Sequence, residues 1–258
     1  IGNGVSELID LTLRALLAAD EEVLVPSPDY PLWTAAVNLN RGRAVHYPCR
    51  PERGFVPDPE EIESLVTKRT RAIVVINPNN PTGAVYPREV LEAIARIAEK
   101  HHLVIFADEI YDQMTYDGAE FVPMATLVHH TLCCTMSGLS KVYRACGYRV
   151  GWAVFSGDLE NAREYLSALE LLSSLRLCSN VAGQWAVQTA LGGYQSIKEL
   201  IRPGGRLYES RKSIVDAVAR SKYLTLTVPR GALYAFVGVD TQRLPGFDDR
   251  RFAMDLLE

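Results

Sequence analysis

The sequence predicts an α/β protein built on a mostly parallel or mixed sheet, with helices on both faces. Three observations carry this. Helical and strand-like stretches alternate from Val5 to Phe155. Ala72 to Ile76 and Leu103 to Ala107 are short unbroken apolar runs, the pattern of strands covered on both faces. Asn80, Asp108 and Lys141 each fall just past the C-terminal end of a predicted strand. In open α/β sheets that is the edge at which ligands bind.

The elements follow in order. Val5 to Ala19 is rich in helix formers and ends near Asp20. Glu22 to Val25 is a short strand stopped by Pro26 and Pro28, Leu32 to Leu39 a helix, and Ala44 to Tyr47 a strand. Asp58-Pro59-Glu60-Glu61 starts a helix: a cap, a proline in the first turn, then acids that the helix dipole favours. Ala72 to Ile76 is a strand, and Arg88 to His101 a helix with Val90, Leu91, Ile94, Ile97 and Ala98 on one face. Strands follow at Leu103 to Ala107, Thr131 to Met136 and Val150 to Phe155. Leu159 to Leu172, Val181 to Leu191 and Ile197 to Arg220 are predicted helices. Two strand-like runs, Leu224 to Val228 and Ala232 to Val239, precede a last helix from Asp248. Arg202-Pro203-Gly204-Gly205 interrupts the third long helical stretch and marks a domain shift.

Composition narrows the function. The chain has 258 residues, 48% of them hydrophobic, and a net charge of −4. That supports a sizeable core and argues against a nucleic-acid partner, whose footprint is a basic stripe. No apolar run approaches the ~20 residues of a membrane span, and Ile1-Gly2-Asn3-Gly4 does not open a secretion signal. The expected compartment is the cytoplasm. Five cysteines without C-x-x-C spacing make a disulfide scaffold or zinc site an unsuitable reading, and no metal is expected. Cys133 and Cys134 read as small hydrophobes of a strand. The adjacent pairs His101-His102 and His129-His130 read as surface residues near element ends.

The polar motifs supply the parts of a site for an aldehyde cofactor with a pyridine ring and a phosphate. Lys141, in Met136-Ser137-Gly138-Leu139-Ser140-Lys141, offers an amine that condenses with an aldehyde. Asp108, ending an apolar strand, is a desolvated carboxylate that needs a cation, and a protonated pyridine nitrogen would be one. Tyr111 and Asn80 can hydrogen-bond a ring oxygen, the latter from the proline-stiffened run Asn77 to Gly83. Arg149 and Ser140 can hold a phosphate, as can the backbone N–H groups around Ser6, where Gly2-Asn3-Gly4-Val5 opens a helix. Tyr30, in a loop after a strand, can stack on a planar ring. Each has a plainer alternative: a helix cap at Asp108, a solvated lysine, a rigid turn at Asn77 to Gly83, a packed tyrosine at Tyr30. Their convergence on one sheet edge favours the site.

Together these residues resemble the fold-type I pyridoxal-phosphate enzymes of the class I/II aminotransferase family, along essentially the whole chain. The most specific stretch is Gly138-Leu139-Ser140-Lys141-Val142-Tyr143-Arg144-Ala145-Cys146-Gly147-Tyr148-Arg149-Val150-Gly151-Trp152, which looks like the family's cofactor-lysine signature. Arg144 stands where most members carry a small residue. With Asn77 to Asn80, Pro28-Asp29-Tyr30-Pro31-Leu32-Trp33 and Leu191 to Ser196, it is similar to the bacterial glutamate–pyruvate (alanine) subgroup. The resemblance implies a three-layer large domain over residues 1–202, incomplete at its N-terminus, and part of a small α+β domain over 203–258. It implies pyridoxal 5′-phosphate as cofactor and a homodimer. It assigns Lys141 to the imine and to proton transfer, and Asp108 to the pyridine nitrogen. Tyr111 and Asn80 would bind the ring oxygen, Tyr30 would stack on the ring, and Ser6, Ser140 and Arg149 would bind the phosphate. Gly138 stands where the family often has serine.

The family's chains are longer at both ends, so this chain reads as a fragment without the N-terminal arm and the C-terminal arginine that grips the substrate carboxylate. Arg176 is not aligned with the second carboxylate-binding arginine of aspartate enzymes, which leans toward a small monocarboxylate such as pyruvate. The leading expectation is transfer of an amino group from L-alanine to 2-oxoglutarate. The alternatives are an aspartate or broad-specificity aminotransferase, a carbon–sulfur lyase on the same scaffold, and a truncated cofactor-binding domain without turnover.

Overall fold

A computed structural model describes all residues 1–258. Six strands form the main sheet: β1 (Glu22–Ser27), β2 (Arg43–Pro48), β3 (Thr70–Ile76), β4 (Val104–Asp108), β5 (Leu132–Gly138) and β6 (Gly151–Gly157), in the order β2-β1-β3-β4-β5-β6. The first five run parallel, and β6 pairs antiparallel with β5 from Leu132↔Gly157 to Gly138↔Gly151. The chain leaves β1 for β2 on one side and returns to β3 on the other. The strand order therefore reverses beside β1, the topological position at which α/β sheets open a crevice.

Helices cover both faces. Against one face lie α1 (Val5–Leu16) and α2 (Pro31–Leu39), burying Leu8, Ile9, Leu13, Trp33 and Val37 with Val23, Val25, Val74 and Phe106. Against the other lie α3 (Pro59–Ser64) and α4 (Arg88–His101), where Ile62, Leu91, Ile94 and Ile97 meet Leu24, Ile73, Val75 and Ile105. Successive strand residues alternate between the two cores, which is why these strands are apolar throughout. Asp58 caps α3 as its sequence predicts, accepting from Glu60 N at 3.0 Å. Cys133 and Cys134 are buried core residues, and all five cysteines are free thiols. His129 and His130 are exposed, while the ring of His101, at the end of α4, lies 3.1 Å from Glu63.

Beyond β6 come α5 (Arg163–Arg176), α6 (Val181–Gly192), α7 (Ile197–Ile201) and α8 (Arg206–Arg220), then a two-stranded antiparallel sheet of β7 (Leu224–Leu226) and β8 (Val237–Val239), and α9 (Asp249–Asp255). Two expectations are corrected here, and one holds. The helix expected over 159–172 lies four residues later, after an Asp158 turn whose carboxylate accepts from Asn161 N at 3.1 Å. The helical stretch over 197–220 is interrupted where Arg202-Pro203-Gly204-Gly205 predicts, between Ile201 and Arg206, with Gly204 at φ +82°. The strand expected over 232–239 is only Val237–Val239, because the residues before it bond to loops of the main sheet instead. No helix is long and apolar enough to cross a membrane.

Candidate active site

One cavity of about 300 Å³ opens at the C-terminal edge of the main sheet, and Ser6, Tyr30, Asn80, Asp108, Tyr111, Ser140, Lys141 and Arg149 all line it. All eight candidates from the sequence are thus brought together. Val5, Ile110, Cys146 and Tyr234 complete the wall.

Asp108 is the last residue of β4, flanked in register by Ile76 and Met136. It is 3% exposed. Burial pushes its carboxyl above the ordinary range, while a hydrogen bond from Trp33, the Ile110 N–H and the charge of Lys141 draw it back. The Trp33 indole N–H donates to Asp108 Oδ2 at 3.1 Å. A buried carboxylate with one strong neutral donor and an open side toward a cavity is a site for a cation. Behind it, Glu109 accepts from Met124 N at 2.7 Å and fixes the strand end.

The Asn77 to Gly83 loop is held by its own side chains. Asn77 Oδ1 accepts from Tyr86 N at 2.9 Å, and Asn79 Oδ1 accepts from Thr82 Oγ1 at 2.7 Å. Asn80 is left facing the cavity. Tyr111 lines the same cavity, its hydroxyl 2.6 Å from that of Tyr234.

The cavity wall also carries a guanidinium, two serine hydroxyls and the start of a helix. The first turn of α1 contributes Val5 and Ser6. Gly4, at φ +85°, precedes it, and a Cβ there would overlap the Arg149 guanidinium. Arg149 is anchored on backbone oxygens only: Nη1 donates to Cys146 O at 2.9 Å and Nη2 to Asn3 O at 3.3 Å. Its charge therefore stays available to an anion. Glu7 closes the N-terminal turn by accepting from Asn3 N at 2.7 Å, and Gly2 and Gly151 exchange two backbone bonds that tie the loop to β6. The chemistry of this set suits a phosphate: guanidinium, hydroxyls and a helix N-terminus.

Two functional partners, Trp33 and Tyr234, carry no signal in the sequence. Trp33 lies within the Pro28–Trp33 run, but an apolar helix position gives no hint of a bond 75 residues away. Tyr234 lies in a stretch that reads as an ordinary strand.

A family model described as aminotransferase class I and II matches residues 1–258. The chain is 52% identical over 257 residues to the glutamate-pyruvate aminotransferase AlaA of Escherichia coli (strain K12), covering 100% of this chain and 64% of that protein. It is 48% identical over 257 residues to an alanine aminotransferase of Mycobacterium tuberculosis (strain ATCC 25618 / H37Rv), covering 100% and 60%. Among solved structures, an aminotransferase from Escherichia coli superposes with a TM-score of 0.97 at 52% identity, over 99% of this chain and 63% of that one. An alanine aminotransferase from Pyrococcus furiosus gives 0.93 at 36% identity, over 99% and 64%. The chain spans 64% or less of the length of these curated relatives.

Proposed function

The chain belongs to the class I and II aminotransferase family, and from that premise we propose that its whole protein transfers an amino group from L-alanine to 2-oxoglutarate, giving pyruvate and L-glutamate. The family works with pyridoxal phosphate, and the residues on this cavity fit that group. The observation that carries the reading is that one cavity is lined both by a buried, cation-seeking carboxylate, Asp108, and by a guanidinium, Arg149, beside the start of α1. Gly4, at φ +85°, lies against that guanidinium. Lys141 lines the space they share.

Bound there, pyridoxal phosphate supplies an aldehyde that condenses with amines and a ring that draws electrons from the reacting carbon. Asp108 would hold the proton of the pyridine nitrogen and so keep the ring cationic. Asn80 and Tyr111 would hold the ring oxygen, and Tyr30 would lie against the ring. Arg149, Ser140, Ser6 and the first N–H groups of α1 would grip the phosphate. Lys141 Nζ would anchor the aldehyde carbon at rest, and during turnover would remove the proton from the α-carbon of the amino acid.

The alanine assignment comes from the relatives. We further read the working protein as a cytoplasmic homodimer. The free thiols suit a reducing compartment. The α5–α6 face leaves Leu171, Leu175, Val181 and Trp185 exposed, Trp185 by 83%. We place the junction between the large domain and the partial small one at Arg202–Gly205. The test is pyruvate release from L-alanine in the full-length protein, with 2-oxoglutarate as acceptor. Turnover that depends on the oxo acid and vanishes in Lys141→Ala supports the reading. Release of pyruvate from a cysteine conjugate without any oxo acid, and none from alanine, contradicts it.

A further inference from the structure

Tyr234 comes from the far end of the chain. It follows Tyr111 by 123 residues, yet the two hydroxyls stand 2.6 Å apart. The rings meet edge to face, with centroids 5.6 Å apart and planes at 82°. The segment that delivers it is tied to the loops of the main sheet. Arg230 N and Gly231 N both donate to Gly83 O at 2.8 Å, and Ala232 N donates to Met114 O at 2.9 Å. The Tyr116 hydroxyl donates to Ala232 O at 3.0 Å, and Ala232 takes φ +56°. Tyr234 also lines a second, smaller hollow of about 90 Å³, with Tyr116, Leu207, Arg211 and Ala232 among its other walls. The ring itself is held by packing, against the cluster of Ile110, Tyr111, Met114, Val142, Ile197 and Ala232, so what the hydroxyl adds is the bond to Tyr111.

A phenol has one proton to give. Burial, then the bond to Tyr234, holds Tyr111 well above the usual tyrosine range, so Tyr111 keeps its proton at neutral pH. Of the two hydroxyls one donates and the other accepts. When Tyr111 gives its proton to an oxygen in the cavity, the donor within the pair must be Tyr234. A hydroxyl that accepts a hydrogen bond also donates a stronger one.

We propose that Tyr234 is a positioning residue: by donating to Tyr111 it aims the Tyr111 hydroxyl at the ring oxygen of the bound cofactor and strengthens that bond. The inference rests on the pyridoxal phosphate reading above. It links the segment after α8 to the electronics of a site built on the main sheet.

The test is a spectral pH titration of the cofactor-loaded full-length protein, comparing wild type with Tyr234→Phe, Tyr111→Phe and the double variant. The visible band of a lysine-bound cofactor titrates because its nitrogen shares a proton with the ring oxygen. Weaker donation to that oxygen lets it hold the proton better, so the midpoint rises. Besides the two phenols, the ionisable groups facing the cavity are Tyr30, Asp108, Cys146, Lys141 and Arg149, and all four proteins retain them. The expected rise is about 0.3 pH unit for Tyr234→Phe and roughly one for Tyr111→Phe. The double variant should match Tyr111→Phe alone. Phenylalanine keeps the ring and its edge contact, so a purely structural role leaves the midpoint in place. A midpoint that moves in Tyr111→Phe but not in Tyr234→Phe overturns the inference, as do additive shifts in the double variant. A wild type without a visible band that Lys141→Ala abolishes overturns the cofactor reading, and the inference with it.

Discussion

Replacing Glu109 with glutamine will stabilise the cofactor-free protein increasingly as pH rises from about 4.5 to about 7. Glu109 is 6% exposed. Burial pushes its carboxyl from an ordinary 4.5 up to about 7, opposed by the Met124 N–H bond and helped by the charges of Asp112 and Asp108. The folded state thus holds this proton more tightly than the unfolded chain does. The stability it contributes is full below 4.5 and is lost as pH rises through about 7. At 1.36 kcal/mol per pH unit, that gap amounts to roughly 3 kcal/mol. Glutamine keeps an oxygen for Met124 N and cannot ionise. Asp112, which burial pushes up to about 6, is present in both proteins, as are Asp58 and Glu63, whose pKa values are lowered. The difference between the two stability curves therefore reports Glu109 together with its coupling to Asp112 and Asp108. Urea unfolding followed by tryptophan fluorescence, from pH 4.5 to 8, reads it directly. The reasoning predicts a difference that grows by about 3 kcal/mol and then levels off. Parallel curves, or a difference that shrinks with pH, would refute it.

Other expectations address the site itself. Trp33→Phe removes the indole N–H on Asp108 and leaves a buried acceptor unpaired, so pyridoxal phosphate affinity should fall roughly tenfold to a hundredfold in an equilibrium titration; unchanged affinity would remove Trp33 from the site. Gly4→Ala forces a Cβ onto the Arg149 guanidinium at a positive φ, so it should weaken cofactor binding while costing only about 1–2 kcal/mol of stability by melting. Asp108→Ala should cost far more activity than Cys146→Ala, which also faces the cavity but carries no proposed role; equal losses in a transfer assay would mean that the ring-nitrogen partner is misassigned.

Much of the site was legible in the sequence, for a physical reason. Asp108, Lys141 and the Asn77 to Asn80 run follow apolar strands directly, so the strand pattern that places the sheet also places them at its edge. Arg202-Pro203-Gly204-Gly205 declared the helix break through residues that cannot continue a helix. The direction of β6 was not legible, because a buried strand reads the same whichever way it runs. Trp33 and Tyr234 were not legible as partners of Asp108 and Tyr111. Each is an aromatic whose polar tip matters only once folding brings it 75 or 123 residues across the chain. The stretch before Val237 shows β-type composition, yet Arg230, Gly231 and Ala232 give their N–H groups to Gly83 and Met114. Local pattern cannot foresee that tertiary bonding.

The account turns on whether Lys141 holds pyridoxal phosphate in this cavity. The most direct measurement is the absorption spectrum of the purified full-length protein after adding the cofactor, wild type beside Lys141→Ala, with circular dichroism to show that both are folded. The account predicts a protein-bound imine band in the wild type that is absent from the folded variant. The same band in both proteins, or in neither, would contradict it.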